Sequence, residues 1–140
     1  MYIRLNEWQK EMKIANAHDV FTVMQEILLR NSKIGRRKER FWAIGLENNN
    51  TILYIELVSL GTLKATLVSS LDVFNTAVRR KAAALILVHN HPSGEMRPSK
   101  ADVGITNKLV DSGRLLECQI LDHVIISETK FYSFKDEGML

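Results

Sequence analysis

HNHPSGEMRPSKAD, residues 89–102, places two imidazoles two residues apart and a carboxylate eleven residues after the second. It follows AAALILV, residues 82–88, an uninterrupted apolar run that predicts a strand buried on both faces. His89 and His91 therefore lie where this strand ends. Side chains at i and i+2 of an extended segment project to the same side, which lets both rings converge on one ion while Asn90 points away.

A loop and then a helix follow the two histidines. Pro92 starts the loop, Ser99 fits the N-cap of the helix, and Asp102 takes the place of a capping-box acid that faces back toward the loop. Taken alone, such a Ser-x-x-Asp pattern indicates only a helix cap. Together with the two histidines, it fits a zinc site in which His89, His91 and Asp102 are the protein ligands and a water fills an open fourth position.

The spacing H-x-H-P, six residues, S, two residues, D resembles the JAMM motif of the JAB/MPN metallopeptidases. The form HNHPSG followed by PS and D is similar to the RadC branch of that family. Further blocks resemble RadC proteins in the same order, at residues 39–53, 58–63, 121–126 and 132–134. The resemblance covers about residue 17 to the end. It implies a metal-dependent hydrolase with the JAB/MPN fold, whose architecture is related to that of the cytidine deaminases.

The chain departs from the family's pattern in two ways. Peptidase branches usually have Ser or Thr between the two histidines, whereas Asn90 stands here, as in RadC proteins. Longer RadC proteins carry a helix-hairpin-helix region before this domain, for which this chain has no room. We therefore expect residues 1–140 to form a single domain.

Deamination is disfavoured because zinc deaminases use H-x-E with a downstream P-C-x-x-C, and this sequence contains neither.

The resemblance also implies roles for two catalytic residues. Glu39 matches the family's acid-base glutamate near the start of an early strand, although its charged neighbours also fit an exposed surface segment. Glu47 and Glu56 are the other candidates in this half of the chain. Ser99 matches the family's hydroxyl that holds the water or the oxyanion, beside its role as an N-cap.

Three other residues with chemically active side chains have simpler interpretations. His123 lies in an apolar strand and is interpreted as a structural residue or a support for the metal ligands, with substrate contact as the alternative. His18 lies in a predicted helix and is expected at the surface. Cys118, the single cysteine, excludes an internal disulfide, and its apolar context favours a strand position over a nucleophile.

Composition and charge limit the class of protein. The chain is 46% hydrophobic and 25% charged, which is ordinary for a soluble globular protein. We expect a cytoplasmic protein that does not bind membranes, because no apolar run reaches membrane-spanning length and the N-terminal segment is charged throughout. The net charge is +3, and the basic side chains concentrate at residues 33–40 and 79–81, where both clusters are interpreted as solvated surface. Nucleic-acid binding should accordingly be weak or absent.

Periodicity predicts an α/β (α+β) protein with a mixed sheet flanked by helices. Helices are predicted at residues 17–30, 71–81 (entered through Ser69 or Ser70) and about 100–112, the last ended by Gly113. Strands are predicted at 41–46 and 52–61, which pair across the turn at 47–51, and at 65–68, 82–88, 115–121, 124–127 and 131–134.

The sequence thus predicts a zinc hydrolase of JAMM type that carries one Zn²⁺ per chain and cleaves an amide or isopeptide bond of a protein or peptide substrate. A homodimer is one assembly that the sequence allows. The alternative is a RadC-type accessory module, associated with DNA repair or replication proteins, in which the metal is structural. An exchangeable water at the metal would favour the hydrolase, whereas a fourth protein ligand would favour the structural site.

Overall fold

The structure is a computed structural model that describes residues 1–61 and 68–140. Within these ranges, two helices precede a strand hairpin, two helix–strand pairs follow, and a short strand comes last. The helices are α1 (Glu7–Glu11), α2 (Ala17–Leu29), α3 (Ser70–Arg80) and α4 (Lys100–Leu115). The strands are β1 (Arg40–Leu46), β2 (Ile52–Leu60), β3 (Ala84–Asn90), β4 (Gln119–Ile126) and β5 (Phe131–Ser133). The predicted strand at 65–68 falls almost entirely outside the described residues.

The described strands form one mixed sheet in the order β2-β1-β3-β4-β5. β3 and β4 run parallel, and α4 connects them, while the other neighbouring strands pair antiparallel. The carboxyl ends of β3 and β4 therefore meet at one edge of the sheet, the position where α/β proteins commonly bind ligands. This architecture confirms the predicted α/β (α+β) class with a mixed sheet flanked by helices.

Helices cover both faces of the sheet. On one face α2 buries its apolar side against Trp42, Ile44 and Val88, among other residues. On the other face α3 and α4 pack against alternate residues of the same strands, including Ala43 and Leu87. β3 is buried along its whole length, and this burial on both faces explains the continuous apolar run in the sequence.

β3 differs from its predicted bounds. It begins at Ala84 and continues through Asn90, so His89 lies inside the strand and only His91 lies beyond it. The predicted entry of α3 is confirmed at Ser69, whose hydroxyl accepts from the Asp72 N–H at 3.0 Å. The short helix α1 was not predicted from the sequence at all.

The predicted end of α4 at Gly113 is wrong. The helix continues to Leu115, and Glu117, with a φ of 56°, is the residue that takes the left-handed conformation after it. Gly113 is instead a point of close approach, because a Cβ there would lie 2.5 Å from the Cys118 carbonyl oxygen. The glycine thus allows the chain to pass directly from α4 into β4.

The two strands predicted at 115–121 and 124–127 are one strand, β4. Its pairing with β3 is irregular near Leu121, because Leu85 pairs with Ile120 whereas Ile86 pairs with Asp122. Such a bulge shifts the alternation of side chains between the two faces of a strand. As a result, Ile120 and His123 both face α4, although they are three residues apart.

Candidate metal centre

His89, His91 and Asp102 come together at the carboxyl end of β3 and form a group that could hold a metal ion. The two imidazole Nε2 atoms are 2.9 Å apart. The Asp102 Oδ1 atom is 3.2 Å from His89 Nε2, and its Oδ2 atom is 3.1 Å from His91 Nε2. The predicted metal site is therefore assembled geometrically, while metal binding itself stays a prediction.

The donor set fits zinc. Ligand atoms about 2.0–2.2 Å from a tetrahedral zinc ion lie about 3.3–3.5 Å from one another. The three donor atoms here are separated by 2.9–3.2 Å, so outward shifts of a few tenths of an ångström would admit the ion. Among the described residues, His89, His91 and Asp102 are the metal-ligating side chains of this group. Three protein ligands leave one position of a tetrahedral zinc site open.

Local structure aims Asp102 at the histidines. Ser99 caps α4, since its hydroxyl accepts from the Asp102 N–H at 3.1 Å and its own N–H donates to Asp102 Oδ2 at 2.8 Å. This reciprocal capping box draws the carboxylate back over the first turn of the helix. The helix cap and the metal ligand are therefore compatible roles for Asp102.

The charges of the three groups are shaped by their burial and by one another. Burial lowers the pKa of His89, an effect that outweighs its hydrogen bond with Asp102. His91 is less buried, and although burial opposes it, hydrogen bonding to Asp102 raises its pKa. Burial would raise the pKa of Asp102, but hydrogen bonds with both histidines hold it well below its usual range. The carboxylate is thus ionised and the His89 ring neutral, as metal ligation requires.

His91 is oriented by the loop that follows it. Its Nδ1 atom lies 2.6 Å from the Glu95 carbonyl oxygen, which can only accept a hydrogen bond. The Nδ1–H therefore donates, and the Nε2 lone pair is left for a metal. Gly94, with a φ of 83°, permits the tight turn that brings Glu95 back toward the ring.

Asn90 points away from the two rings, as predicted, and its contacts explain its presence. Its side-chain oxygen accepts from the Arg40 N–H at 2.6 Å, and its amide donates to the Lys38 carbonyl at 3.0 Å. Asn90 therefore holds the main chain on both sides of Glu39. These contacts could not be inferred from local spacing, because Asn90 and its partners are 50 and 52 residues apart in the sequence.

A groove of about 1000 Å³ opens at the candidate metal site. Glu39 and Ser99, the two predicted catalytic residues, line it together with His91 and Asp102. Other parts of its wall come from the end of β2 and from cationic side chains of the basic cluster, Arg37 and Lys38, with Arg97. The structure thus brings Glu39 and Ser99 to the candidate site, while their roles stay predictions.

The alternative glutamates lie elsewhere. Glu47 follows the opposite end of β1, so the length of a seven-residue strand, about 20 Å, separates it from Glu39. Glu56 lies on β2 and accepts a hydrogen bond of 3.0 Å from Thr76 of α3.

Comparison with known proteins identifies relatives of the chain. The sequence model of the RadC-like JAB domain family matches residues 14–139. The chain belongs to this family. A UPF0758 protein of Methanosarcina mazei is 40% identical over 132 residues, which are 94% of this chain and 56% of the relative. A UPF0758 protein of Flavobacterium johnsoniae is 43% identical over 137 residues, or 97% of this chain and 57% of the relative.

This RadC-like JAB domain thus spans a little over half the length of these curated relatives. The printed names of the relatives assign no activity. Among the described residues, none of the helices is long and apolar enough to span a membrane.

His123 was interpreted as a structural residue or a support for the metal ligands, and it contacts a candidate ligand: its Nε2 lies 2.7 Å from the Nδ1 of His89. Sequence reasoning missed the next contact of His123. Its other nitrogen lies 2.5 Å from the Thr106 hydroxyl, which was not singled out. Two signals could have found this pair: Thr106 is one helical turn after Asp102, and His123 interrupts an apolar strand.

Proposed function

We propose that this chain is a zinc-dependent hydrolase of JAMM type that cleaves an amide or isopeptide bond in a protein or peptide. One observation carries the proposal: the donor atoms of His89, His91 and Asp102 lie 2.9–3.2 Å apart, and two of these residues, His91 and Asp102, line an open groove. A catalytic zinc site needs both three protein ligands and access for a substrate. A purely structural zinc site needs neither the open position nor the groove.

Zinc, when bound, supplies a Lewis acid that lowers the pKa of water to about 7. His89 and His91 would bind it through Nε2, and Asp102 through its carboxylate. The capping box with Ser99 and the Glu95 carbonyl would hold two of these ligands in place.

Glu39 would act as the general acid and base. Its carboxylate lines the groove beside His91 and Asp102, so it would take a proton from the attacking water and return it to the leaving amine. Asn90 would keep Glu39 in position through its bonds to the main chain on both sides. Proton transfer of this kind contributes typically about 10²- to 10⁴-fold in rate.

Ser99 would stabilise the developing oxyanion. Its oxygen accepts from the Asp102 N–H in the helix cap, so the cap does not use its O–H as a donor. That hydroxyl would donate to the negative charge that grows on the carbonyl oxygen of the substrate.

Separate measurements of zinc and of hydrolysis test this proposal. We expect about one zinc per chain after zinc addition and dialysis, and loss of most of it in Asp102→Ala, because removing one of three ligands weakens binding strongly. Glu39→Gln should keep its zinc but lose cleavage of a fluorogenic isopeptide-linked peptide library. Glu47→Gln is the matched control, since it makes the same change at the other end of β1 and should stay active.

Two results would overturn the proposal. Wild-type zinc content no higher than that of His89→Ala/His91→Ala would exclude metal binding. Full activity of Glu39→Gln would exclude Glu39 as the acid-base group. Zinc binding with no hydrolysis, together with a salt-resistant and structure-specific complex with DNA, would favour the accessory module instead, because purely electrostatic binding weakens with salt.

A further inference from the structure

A chain of hydrogen bonds runs from one candidate ligand to the main chain of another through the core. His89 Nδ1 lies 2.7 Å from His123 Nε2, and His123 Nδ1 lies 2.5 Å from Thr106 Oγ1. The Thr106 hydroxyl in turn lies 2.7 Å from the carbonyl oxygen of Asp102, one turn earlier in α4. The side chain of His89 and the main chain of Asp102 are thus linked behind the site, on the side away from the groove.

The histidine rings in this chain are held in an apolar environment. His89 and His123 are both fully buried. The His123 ring stacks on Phe134 with centroids 4.7 Å apart, and Phe41 meets it edge-on at 5.6 Å. A charged imidazolium would be costly in such surroundings. Each ring is therefore neutral and carries one N–H and one nitrogen lone pair.

Metal ligation fixes the direction of every bond in the chain. His89 Nε2 is the atom that faces His91 and Asp102, so it must carry the lone pair when a metal is bound. The proton of the ring then lies on Nδ1 and donates to His123 Nε2. His123 consequently has its proton on Nδ1 and donates to Thr106. The Thr106 hydroxyl donates onward to the Asp102 carbonyl, which can only accept.

We propose that His123 and Thr106 are positioning residues that hold His89 in the tautomer able to bind a metal through Nε2. This inference rests on the proposed metal binding by His89, His91 and Asp102. His123 orients the ring, and Thr106 supplies the acceptor for the Nδ1 proton of His123 that this tautomer requires. Neither residue lines the groove, so neither is assigned contact with substrate.

The hydroxyl at position 106 has a specific task. A neutral His89 with its proton on Nε2 would donate to the Asp102 carboxylate 3.2 Å away, and the chain would then run in the opposite direction. Thr106 can serve either direction by rotating its hydroxyl, since it is both a donor and an acceptor. Valine has nearly the same shape but neither function, so Thr106→Val leaves the metal-binding tautomer without its terminal acceptor.

Zinc affinity of three variants tests the role of the hydroxyl, with the metal alone as probe in competition with a chelator. Thr106→Val should weaken zinc binding about 10- to 100-fold, the usual effect of losing a partner that orients a ligand. Thr106→Ser keeps the hydroxyl and should restore affinity close to wild type. Thr76→Val is the matched control, because Thr76 is also a buried helical threonine with a bonded hydroxyl, but it contacts Glu56.

A spectroscopic measurement on the wild type tests the tautomer directly and does not depend on any variant folding. Long-range ¹H–¹⁵N spectra of the ¹⁵N-histidine-labelled, zinc-loaded protein should show the ring proton of His123 on Nδ1 and that of His89 on Nδ1. A His123 proton on Nε2 in that state would overturn the inference.

The outcomes separate this inference from the proposed function. If wild type binds zinc and Thr106→Val binds it equally well, the positioning role fails and the proposed hydrolase stands. If Thr106→Ser binds as weakly as Thr106→Val, the loss reflects packing and the inference also fails. If wild type does not bind zinc, the proposed metal site fails and this inference fails with it.

Discussion

The two faces of the sheet are built for different tasks. The face under α2 is apolar along most of β3, through Ile86 and Val88, and ends at the buried Asn90. The face under α4 is apolar only in its far part, around Leu85 and Leu87, and becomes polar at the carboxyl end, where His89, His123 and Thr106 are buried. Stability is therefore spread over both faces, whereas the candidate metal ligands gather at one end of the sheet.

The polar end of the α4 face needs hydrogen-bond partners for its buried atoms, whereas the apolar part of the α2 face does not. A buried polar atom without a partner costs about 1–3 kcal/mol, so each nitrogen and oxygen there needs a defined neighbour. His89, His123 and Thr106 meet this requirement by bonding to one another and to the Asp102 main chain. The apolar part of the α2 face needs only shape and volume, and so tolerates changes that the polar end of the α4 face does not.

A pair of cavity-forming substitutions should distinguish the faces with the largest effect. Ile44→Ala on the α2 face and Leu87→Ala on the α4 face each remove a fully buried side chain, so both should lower the free energy of unfolding by about 2–5 kcal/mol. Only Leu87→Ala should also weaken zinc binding, because Leu87 pairs with His123 across β3 and β4. Chemical denaturation and chelator competition measure the two effects. Equal loss of zinc affinity in both variants would contradict the division between the faces.

The next prediction concerns Asn90, the buried polar residue at the end of β3. Asn90→Ala leaves the Lys38 carbonyl and the Arg40 N–H without their partner, which should cost about 1–3 kcal/mol of unfolding free energy. Zinc should be retained, since the ligands are untouched, while hydrolysis should fall because Glu39 loses its support.

The matched control for Asn90 is Asn48→Ala, at an exposed position in the hairpin turn. It should change stability by less than about 0.5 kcal/mol. Loss of zinc in Asn90→Ala together with unchanged hydrolysis per bound zinc would show that Asn90 supports the ligands rather than Glu39.

Two glycines of α4 give a smaller and opposite pair of effects. Gly113→Ala would place its Cβ 2.5 Å from the Cys118 carbonyl oxygen, so it should destabilise the protein by about 1–3 kcal/mol. Gly104→Ala meets nothing within 4 Å and should stabilise it by about 0.5–1 kcal/mol, because alanine loses less backbone entropy in a helix. Thermal unfolding measures both. Stabilisation by Gly113→Ala would mean that the Cys118 carbonyl oxygen can move away, and that the close approach does not require glycine at this position.

The metal-site candidates could be predicted because they are close in the sequence. The three candidate ligands fall within fourteen residues, and a strand end followed by a capped helix is a local pattern. The hairpin of β1 and β2 and the course of α2 follow equally from local periodicity. Each of these features depends on neighbours a few residues away.

Features that depend on register could not be predicted in this way. The bulge near Leu121 decides that His123 faces α4, and nothing in the residues around it fixes how β4 pairs with β3. Gly113 looks like a helix end until the position of Cys118 is known. The Asn90 contacts likewise join two strands that only the folded sheet brings together.

The smallest expected effect contrasts two buried carboxylates on opposite sides of the sheet, Asp102 at the start of α4 and Asp122 on the α2 side of β4. Burial raises the pKa of Asp122, against the opposing hydrogen bonds from Ser133 and Lys135, whereas the histidines lower that of Asp102. For Asp122 the folded protein therefore holds the proton more tightly than the unfolded chain, whose aspartates have a pKa of about 3.9. Asp122 therefore adds to the free energy of unfolding at pH values below about 3.9, and this contribution is lost as the pH rises through the folded pKa. The contribution is about 1.4 kcal/mol for each unit by which the folded pKa exceeds the unfolded one.

Asp122→Asn should remove this dependence at little cost, because the amide oxygen can still accept from the His123 and Lys135 N–H groups and the amide nitrogen can donate to Ser133. Urea unfolding of the metal-free protein at a series of pH values above about 3.9 should show wild type losing stability relative to Asp122→Asn as pH rises. Asp111→Asn, at an exposed position of α4, controls for the loss of one negative charge. Asp102 should behave oppositely, since a lowered pKa contributes stability that disappears as pH falls. A wild-type advantage over Asp122→Asn that grows with pH would show that the Asp122 carboxylate is stabilised in its ionised form, as Asp102 is.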